Sequence, residues 1–210
     1  PSAFSILRAL MHEFHHPQDG HLALVGAFGF DLLFQFDPIE LKLPRDGSKD
    51  LHLYLCDDIW LMDRKKEQVV RYQYDFSIEN GPSTEGLERS AAAISRPPAL
   101  PEAPVTSDHT VDEYKANVET VRRGMKQGDF YEVVLRQTFR VPYSGTPSHL
   151  FERIQTASPS PYEFLLQFGD EQLVGASPEM FVRIEGSRIE TCPISGTARR
   201  TGDPLADAQA

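Results

Sequence analysis

Short turns between strand-like runs are the feature of this sequence that most limits its fold. The runs at 51–63 and 68–76 are rich in β-branched and aromatic residues and are separated by the charged turn RKKE. Later runs at 162–168, 172–177 and 180–194 are also separated by short turns. Such turns join antiparallel neighbours, because a parallel connection needs a crossover of a dozen or more residues. The pattern predicts an α+β fold with large antiparallel sheets and packed helices.

Helical segments are interposed between these runs. Residues 4–14 place apolar side chains three and four positions apart, which predicts a core-facing helix. A second helix is predicted after a capping box of Thr110 and Glu113, with Gly128 as its stop. Shorter helices are expected to begin at Pro147 and near Pro204, since proline is favoured at the first helical position. A strand is predicted between the second and third helices, at 130–141.

A stretch rich in Ser, Pro and Glu interrupts the regular patterns at 77–109. Its composition is typical of a linker or surface segment rather than a packed element. The sequence therefore divides into an amino-terminal part at 1–76 and a second part at 110–210.

The charge balance restricts the class of ligand. Lys and Arg total 21 against 31 Asp and Glu, which gives a formal net charge of -10. This acidity argues against a nucleic-acid partner or an anionic membrane surface. No apolar run approaches the roughly 20 residues that span a bilayer, and the only cysteines, Cys56 and Cys192, suit a reducing compartment. We expect a cytoplasmic protein with small-molecule ligands and no nucleic-acid or membrane partner.

Two carboxylates are candidates for proton transfer. Glu179 follows Ser-Pro at the start of an apolar strand, so its carboxyl is expected at the rim of a sheet, although a surface glutamate fits the same pattern. Glu132 lies within the predicted strand at 130–141 and either pairs with Arg136 or lines a polar pocket. The residue pattern alone leaves both alternatives open.

Three stretches in this order resemble the chorismate-utilising enzymes, in particular component I of anthranilate synthase. They are DFYEVVLRQTF at 129–139, the segment from SPSPYEF to GASPE at 158–179, and PISGT at 193–197. Each motif is modestly specific, but the ordered set is much more so. The resemblance implies the α+β fold of that family, with 1–76 as the amino-terminal part of the synthase lobe and 110–210 as the start of the chorismate-binding region.

The resemblance also implies roles for the matched residues. Anthranilate synthase adds ammonia to chorismate at C2, loses the C4 hydroxyl and eliminates pyruvate, a lyase reaction of tryptophan biosynthesis. Glu179 matches the acid of the GASPE motif and would protonate the departing hydroxyl. Ser195, Gly196 and Thr197 would line the substrate pocket. Glu132 stands where relatives carry Gln or Lys, and would either position ammonia or form a structural pair.

The SPSPYEF motif resembles the family's site for feedback inhibition by tryptophan. The matching residues are Ser158, Pro159, Tyr162, Glu163 and Phe164. The same residues also fit a proline-rich turn that leads into a strand.

Cofactor and partners follow from the resemblance as well. Mg²⁺ is implied, with its ligands expected beyond residue 210, and His12, His15 and His16 are not assigned to a metal. The expected partners are chorismate, tryptophan as an inhibitor, and a glutamine amidotransferase, as a subunit or fused domain, that supplies ammonia. Without the metal ligands, the 210 residues alone are expected to be inactive.

Two alternatives remain at this stage. The first is another chorismate converter, such as an aminodeoxyisochorismate, isochorismate or aminodeoxychorismate synthase. Ser195 argues against the last of these, because aminodeoxychorismate synthases commonly carry a lysine there that attacks the ring. The second alternative is a non-catalytic module that binds tryptophan or an assembly partner.

Overall fold

The computed structural model describes residues 2–42, 44–45, 47–89, 104–194 and 196–209. Its helices are α1 (Ala3–Glu13), a 3₁₀ helix (Phe30–Gln35), α2 (Val111–Gln127), α3 (Pro147–Ala157) and α4 (Pro204–Gln209). Its strands are β1 (Leu24–Phe28), β2 (Leu51–Leu55), β3 (Asp58–Asp63), β4 (Gln68–Gln73), β5 (Thr106–Ser107), β6 (Phe139–Arg140), β7 (Tyr162–Phe168), β8 (Glu171–Ser177), β9 (Met180–Glu185) and β10 (Arg188–Cys192). The predicted α+β class is confirmed.

The strands pair two by two. Throughout the described ranges the strands join as five two-stranded pairs, β1–β2, β3–β4, β5–β6, β7–β8 and β9–β10. The first three pairs and β9–β10 are antiparallel, and β7 connects to β8 through the short turn at Gly169 and Asp170. The predicted pairs β3–β4 and β9–β10 are confirmed and β7 pairs with β8, whereas β8 and β9 do not pair in the described structure despite the short turn between them. In the described part of the chain the strands form separate pairs rather than continuous large sheets, because no third strand pairs with their edges.

The described residues divide into two compact units, each with its own most buried apolar side chains. The first unit lies within Pro1–Ala93 and Leu166–Glu171, and the second within Ile94–Leu165 and Gln172–Ala210. Leu32 and Phe168 are buried in the first unit, and Met180 is buried in the second.

In the first unit, β1 and β2 approach closely because Gly26 has no side chain. A Cβ atom at Gly26 would overlap the carbonyl oxygen of His52 on β2. Helix α1 contributes Phe4, whose ring centroid lies 6.0 Å from that of Phe28 and 5.3 Å from that of Phe36. These separations lie in the favourable range for aromatic pairs. Phe4 of the predicted apolar stripe therefore contacts other apolar side chains, but no residue of α1 is buried in the described structure, so the helix does not face a core as predicted.

Ion pairs hold the β3–β4 hairpin and the chain that follows it. Arg71 on β4 donates to both carboxylate oxygens of Asp58 on β3, at 2.8 and 2.7 Å. Further along, Arg89 donates to the Asp75 carboxylate at 2.6 Å. The first residues of the predicted linker are thus attached to this unit, and residues 90–103 lie outside the described residues.

In the second unit, α2 has both predicted caps. The hydroxyl oxygen of Thr110 accepts a hydrogen bond from the Glu113 amide at 3.3 Å, and the Glu113 carboxylate accepts one from the Thr110 amide at 2.8 Å. Gly128 ends the helix with φ at 82°, a left-handed conformation that glycine adopts without a Cβ clash. The predicted starts of α3 at Pro147 and α4 at Pro204 are also confirmed.

The chain after α2 corrects one prediction. Residues 130–138 form neither helix nor strand, and the strand expected at 130–141 is limited to Phe139–Arg140. The side chain of Phe130 packs instead against α2, where a Cβ at Gly124 would lie 2.6 Å from its ring. A strand needs a partner's hydrogen bonds, and among the described residues β5 supplies them only to β6. Hydrophobic alternation cannot reveal whether such a partner is present.

Large apolar side chains remain at the surface of both units. Phe30, Tyr131 and Phe181 expose 81%, 96% and 87% of their surface. Apolar surface of this kind is typical of a region that contacts further protein or a ligand. Within the described ranges, no helix has the length and apolar character that crossing a lipid bilayer requires.

Candidate active site

The turn between β8 and β9 carries the candidate acid. Strand β8 ends at Ser177, Pro178 follows, and Glu179 precedes β9. The Ser177 hydroxyl oxygen accepts a hydrogen bond from the Glu179 amide at 3.3 Å and donates one to the Glu179 carbonyl at 3.1 Å. Pro178 has no amide hydrogen and a restricted φ, so it favours this tight connection. Glu179 therefore lies between two hairpins and is exposed, which fits the surface-glutamate alternative as well as a position at the rim of a sheet.

The Glu179 side chain points toward the segment after β10. Its carboxylate oxygen Oε1 accepts a hydrogen bond from the Ile194 amide at 3.4 Å. Ile194 directly precedes the residues predicted to line the substrate pocket. A GASPE carboxylate and the PISGT segment are thus neighbours in the fold, although they are 15 residues apart in sequence.

The three predicted pocket residues differ in what the structure records. Ser195 lies outside the described residues. Gly196 is exposed, and among the described atoms nothing lies within 4 Å of the position that a Cβ would take. Thr197 is also exposed. The main chain at Gly196 is therefore open to a molecule from solvent, which suits the role predicted for it.

Glu132 lies apart from these contacts. It is exposed, and the ion pair considered with Arg136 does not form. Instead, the Arg136 guanidinium lies 3.7 Å from Asp108 and donates to the Thr138 hydroxyl at 2.5 Å. Within the described ranges, no hydrogen bond joins Glu132 to Glu179. The predicted pair of Glu132 with Arg136 was wrong because Arg136 contacts Asp108 instead. Asp108 is distant in sequence, so this contact was not visible in the local pattern.

The Asp108 contacts form a cluster that the sequence reading missed. The Asp108 carboxylate accepts a hydrogen bond from the Thr138 amide at 3.0 Å, and the His109 ring nitrogen Nδ1 lies 2.9 Å from it. These hydrogen bonds, the Thr138 amide foremost, lower the pKa of Asp108 to about 2. The cluster ties the residues before α2 to the end of the 130–138 segment.

The predicted regulatory residues surround the turn between α3 and β7. The Glu163 carboxylate accepts hydrogen bonds from the Gln155 side chain at 2.7 Å and from the Ser160 amide at 3.2 Å. The Ser160 hydroxyl donates to the Ser158 carbonyl at 3.1 Å. Hydrogen bonds to both carboxylate oxygens therefore hold the proline-rich turn against the helix before it. This geometry fits the predicted turn and leaves the tryptophan role as a prediction.

Phe164, the last residue of that motif, contacts the strand that leads to the candidate acid. A Cβ at Gly175 on β8 would overlap the ring of Phe164, with the ring carbon Cε2 only 2.9 Å away. Gly175 opens the GASPE motif. The SPSPYEF and GASPE motifs therefore pack directly against each other in the β7–β8 hairpin.

Some cavities of the described structure lie away from Glu179, and two of them bear on residues considered above. One of about 370 Å³ lies between α1 and β1, with Leu10, Phe14, Leu24 and Leu55 among its lining residues. The other is lined by Arg199, Arg200 and neighbours of α4. Arg199 and Arg200 are exposed, consistent with solvated side chains.

The described residues do not form the Mg²⁺ site that the resemblance implies. No group of three or more His, Cys, Asp or Glu side chains in the described ranges is arranged to hold a metal ion. The need for Mg²⁺ stays a prediction.

Sequence comparisons identify relatives of this chain. The profile of the chorismate binding enzyme family matches residues 3–210. The chain is 44% identical to an anthranilate synthase of Azospirillum brasilense over 99% of its own length and 28% of that protein. It is 31% identical to component 1 of aminodeoxychorismate synthase from Salmonella typhimurium, over 88% of the chain and 40% of that protein.

A solved structure shares the fold. Component I of anthranilate synthase from Streptococcus pneumoniae superposes with a TM-score of 0.70 at 21% identity, over 90% of this chain and 46% of that one. The chain thus spans less than half the length of these relatives. Since the family profile covers nearly every residue, this chain belongs to the chorismate binding enzyme family.

Proposed function

We propose that these 210 residues are part of an anthranilate synthase. The reaction converts chorismate and ammonia into anthranilate, pyruvate and water. The observation that carries the proposal is the hydrogen bond from the Ile194 amide to the Glu179 carboxylate. It joins the GASPE motif, which carries the candidate proton donor, to the PISGT motif, which has an exposed main chain.

Glu179 is the general acid in this proposal. Ammonia adds at C2 of chorismate, the ring double bonds shift, and the C4 hydroxyl departs. The protonated Glu179 carboxyl gives its proton to that oxygen, so that water leaves instead of hydroxide. Loss of the C2 proton and of the enolpyruvyl group, released as pyruvate, then makes the ring aromatic. The short side chains at 195–197 let the flat ring lie against the main chain.

Product specificity is proposed from the same segment. Ser195 lacks the amine with which a lysine could attack the ring, which favours anthranilate over aminodeoxychorismate as the product. The match to an aminodeoxychorismate synthase component keeps that reaction as the second candidate. Glu132 is proposed to position ammonia near the ring, since the structure leaves it exposed and without the Arg136 pair.

The remaining parts of the proposal concern the longer protein. The relatives extend well beyond the matched region, and exposed side chains such as Phe181 are suited to contact further protein. We propose that additional chain supplies the Mg²⁺ ligands and that a glutamine amidotransferase supplies ammonia. Tryptophan is proposed as the feedback inhibitor, and the cytoplasm as the location.

Product identification tests this function. The full-length protein is incubated with chorismate, Mg²⁺ and ammonium, and the products are separated and identified by mass. Anthranilate and pyruvate in equal amounts are expected. An aminodeoxychorismate or isochorismate product would contradict the proposal. The 210-residue chain is assayed in parallel, and anthranilate formation by it would refute the need for additional chain.

A further inference from the structure

The main chain of Glu179 depends on one hydroxyl group. Glu179 lies between β8 and β9, outside both strands, so it is not part of the strand ladders. Its amide donates to the Ser177 hydroxyl oxygen at 3.3 Å, and its carbonyl accepts from the same hydroxyl at 3.1 Å. A serine hydroxyl has one hydrogen and two lone pairs, so it can make both bonds together.

The carboxylate itself is held less firmly. Oε1 of Glu179 has a single, long hydrogen bond of 3.4 Å to the Ile194 amide. This distance lies beyond the usual range for N–H···O bonds. The direction of the side chain toward the PISGT segment therefore depends on where the main chain of Glu179 is fixed.

We propose that Ser177 is a positioning residue for the general acid. It does not touch the substrate in this proposal. Its hydroxyl fixes the main chain of Glu179, so that the carboxyl stays beside Ile194 and faces the substrate segment. The inference rests on the proposed function, because it assumes that Glu179 is the proton donor.

Misplacing a catalytic group by about 1 Å can cost about 100-fold in rate. Ser177→Ala should therefore lower kcat by about 10- to 100-fold and change KM by less than about threefold. Ser177→Thr keeps the hydroxyl and should retain most of the activity. The loss of kcat in Ser177→Ala must require Glu179, because Ser177 acts only through it.

A double-mutant cycle provides the test. Ser177→Ala, Glu179→Gln and the double variant are made in the full-length protein, and kcat and KM for chorismate are measured. If Ser177 acts through Glu179, Ser177→Ala lowers kcat in the wild-type background and changes it by less than about twofold in Glu179→Gln. A merely structural role would give the same fold-loss in both backgrounds and would overturn the inference.

Ser83→Ala is the matched control. The Ser83 hydroxyl accepts a hydrogen bond from the amide two residues later, at Glu85, with a length of 3.1 Å. It makes the same kind of local contact in the first unit, and its loss should leave kcat unchanged. An equal loss of kcat in Ser83→Ala would also overturn the inference.

The outcomes separate this inference from the proposed function. Low turnover in Glu179→Gln with full turnover in Ser177→Ala refutes positioning and retains the acid. Near-normal turnover in Glu179→Gln removes the acid and the inference with it. If Ser177→Ala does not fold, Ser177→Cys takes its place, because a thiol is a weak hydrogen-bond donor. The same double-mutant cycle is then measured with Ser177→Cys. A loss of kcat confined to the background that retains Glu179 supports positioning, and any other result refutes it.

Discussion

The Ile194 amide nitrogen lies 3.4 Å from the Glu179 carboxylate oxygen Oε1. This contact connects the turn after β8 to the segment after β10. Because the PISGT motif begins one residue before Ile194, the contact fixes which face of the β9–β10 hairpin bears the candidate site. The carboxyl of Glu179 therefore lies beside the first residues of the PISGT motif.

Replacement of the candidate acid should affect chemistry more than binding. We expect Glu179→Gln in the full-length enzyme to lower kcat by about 100-fold or more, because the amide cannot donate the proton that the leaving hydroxyl needs. Steady-state anthranilate fluorescence measures the change. Glu185→Gln on β9 is the control, since Glu185 makes only an exposed ion pair with Arg183 at 3.7 Å. Turnover near that of the control would exclude Glu179 as the acid.

A methyl group at Gly196 should weaken substrate binding and leave the stability of the fold nearly unchanged. The space around this glycine is open among the described atoms, so Gly196→Ala should change the free energy of unfolding by less than about 1 kcal/mol. If the substrate ring lies on this main chain, KM for chorismate should rise by about tenfold or more. Urea unfolding and initial rates measure the two quantities. An unchanged KM would place the substrate elsewhere.

The close strand approach in the first unit predicts a large loss of stability for Gly26→Ala. The added methyl group would overlap the His52 carbonyl oxygen on β2, and the overlap can be relieved only by a shift of main chain. We expect the free energy of unfolding to fall by at least about 2 kcal/mol. Gly20→Ala is the matched control, because its Cβ would meet no described atom within 4 Å. Equal unfolding midpoints in urea would contradict this account.

The turn before β7 predicts how Glu163 affects feedback inhibition. Glu163→Ala removes the acceptor for the Gln155 side chain and the Ser160 amide, which should loosen the turn. If tryptophan binds there, its inhibition constant should rise by about tenfold, the usual scale of a lost hydrogen bond to a charged group. Inhibition of the full-length enzyme measures it.

Glu152→Ala provides the control for that measurement. Glu152 lies on the same helix as Gln155 and is exposed, 3.9 Å from His149. Its removal should leave inhibition by tryptophan unchanged. Equal inhibition constants for Glu163→Ala and wild type would show that the turn is structural only.

Acid should weaken the Asp108 cluster. Hydrogen bonds, first from the Thr138 amide, lower the pKa of Asp108 from 3.8 to about 2. The ionised carboxylate therefore stabilises the fold above pH 3.8, and this contribution is lost as the pH falls through about 2. Asp108→Asn should lower the thermal midpoint near about pH 6, and the difference from wild type should shrink toward about pH 2.

Circular dichroism across that pH range measures both midpoints. Asp170→Asn, in the exposed turn between β7 and β8, is the control for a change of charge without these contacts. A difference between Asp108→Asn and wild type that stays constant as the pH falls would contradict the linkage.

Sequence patterns correctly predicted those features of the fold that depend on residues close together in the chain. The capping box of Thr110 and Glu113 and the terminal Gly128 lie within one helix, so their sequence pattern was sufficient. The strand expected from residue 130 was wrong in its start because pairing depends on another strand. The contact of Arg136 with Asp108 could not be predicted for the same reason, since the two residues approach only when the chain folds.

In the candidate site as well, local sequence predicted a residue but not its contacts with distant residues. Glu179 was found through its motif, and its neighbour Ile194 could be located only in the fold. A serine two residues before a glutamate can hold its main chain, as Ser177 does for Glu179. That spacing was the available signal, and it is too common to identify a role by itself.

The packing of Phe164 over Gly175 restricts how these two positions can change in related sequences. Alanine at position 175 requires a smaller side chain at position 164 beforehand, since the ring fills the volume that the methyl group would take. The reverse order passes through an intermediate with a steric clash. Substitutions in the SPSPYEF motif and at the head of GASPE should therefore be accepted as ordered pairs, which makes this hairpin a place where evolutionary history is constrained.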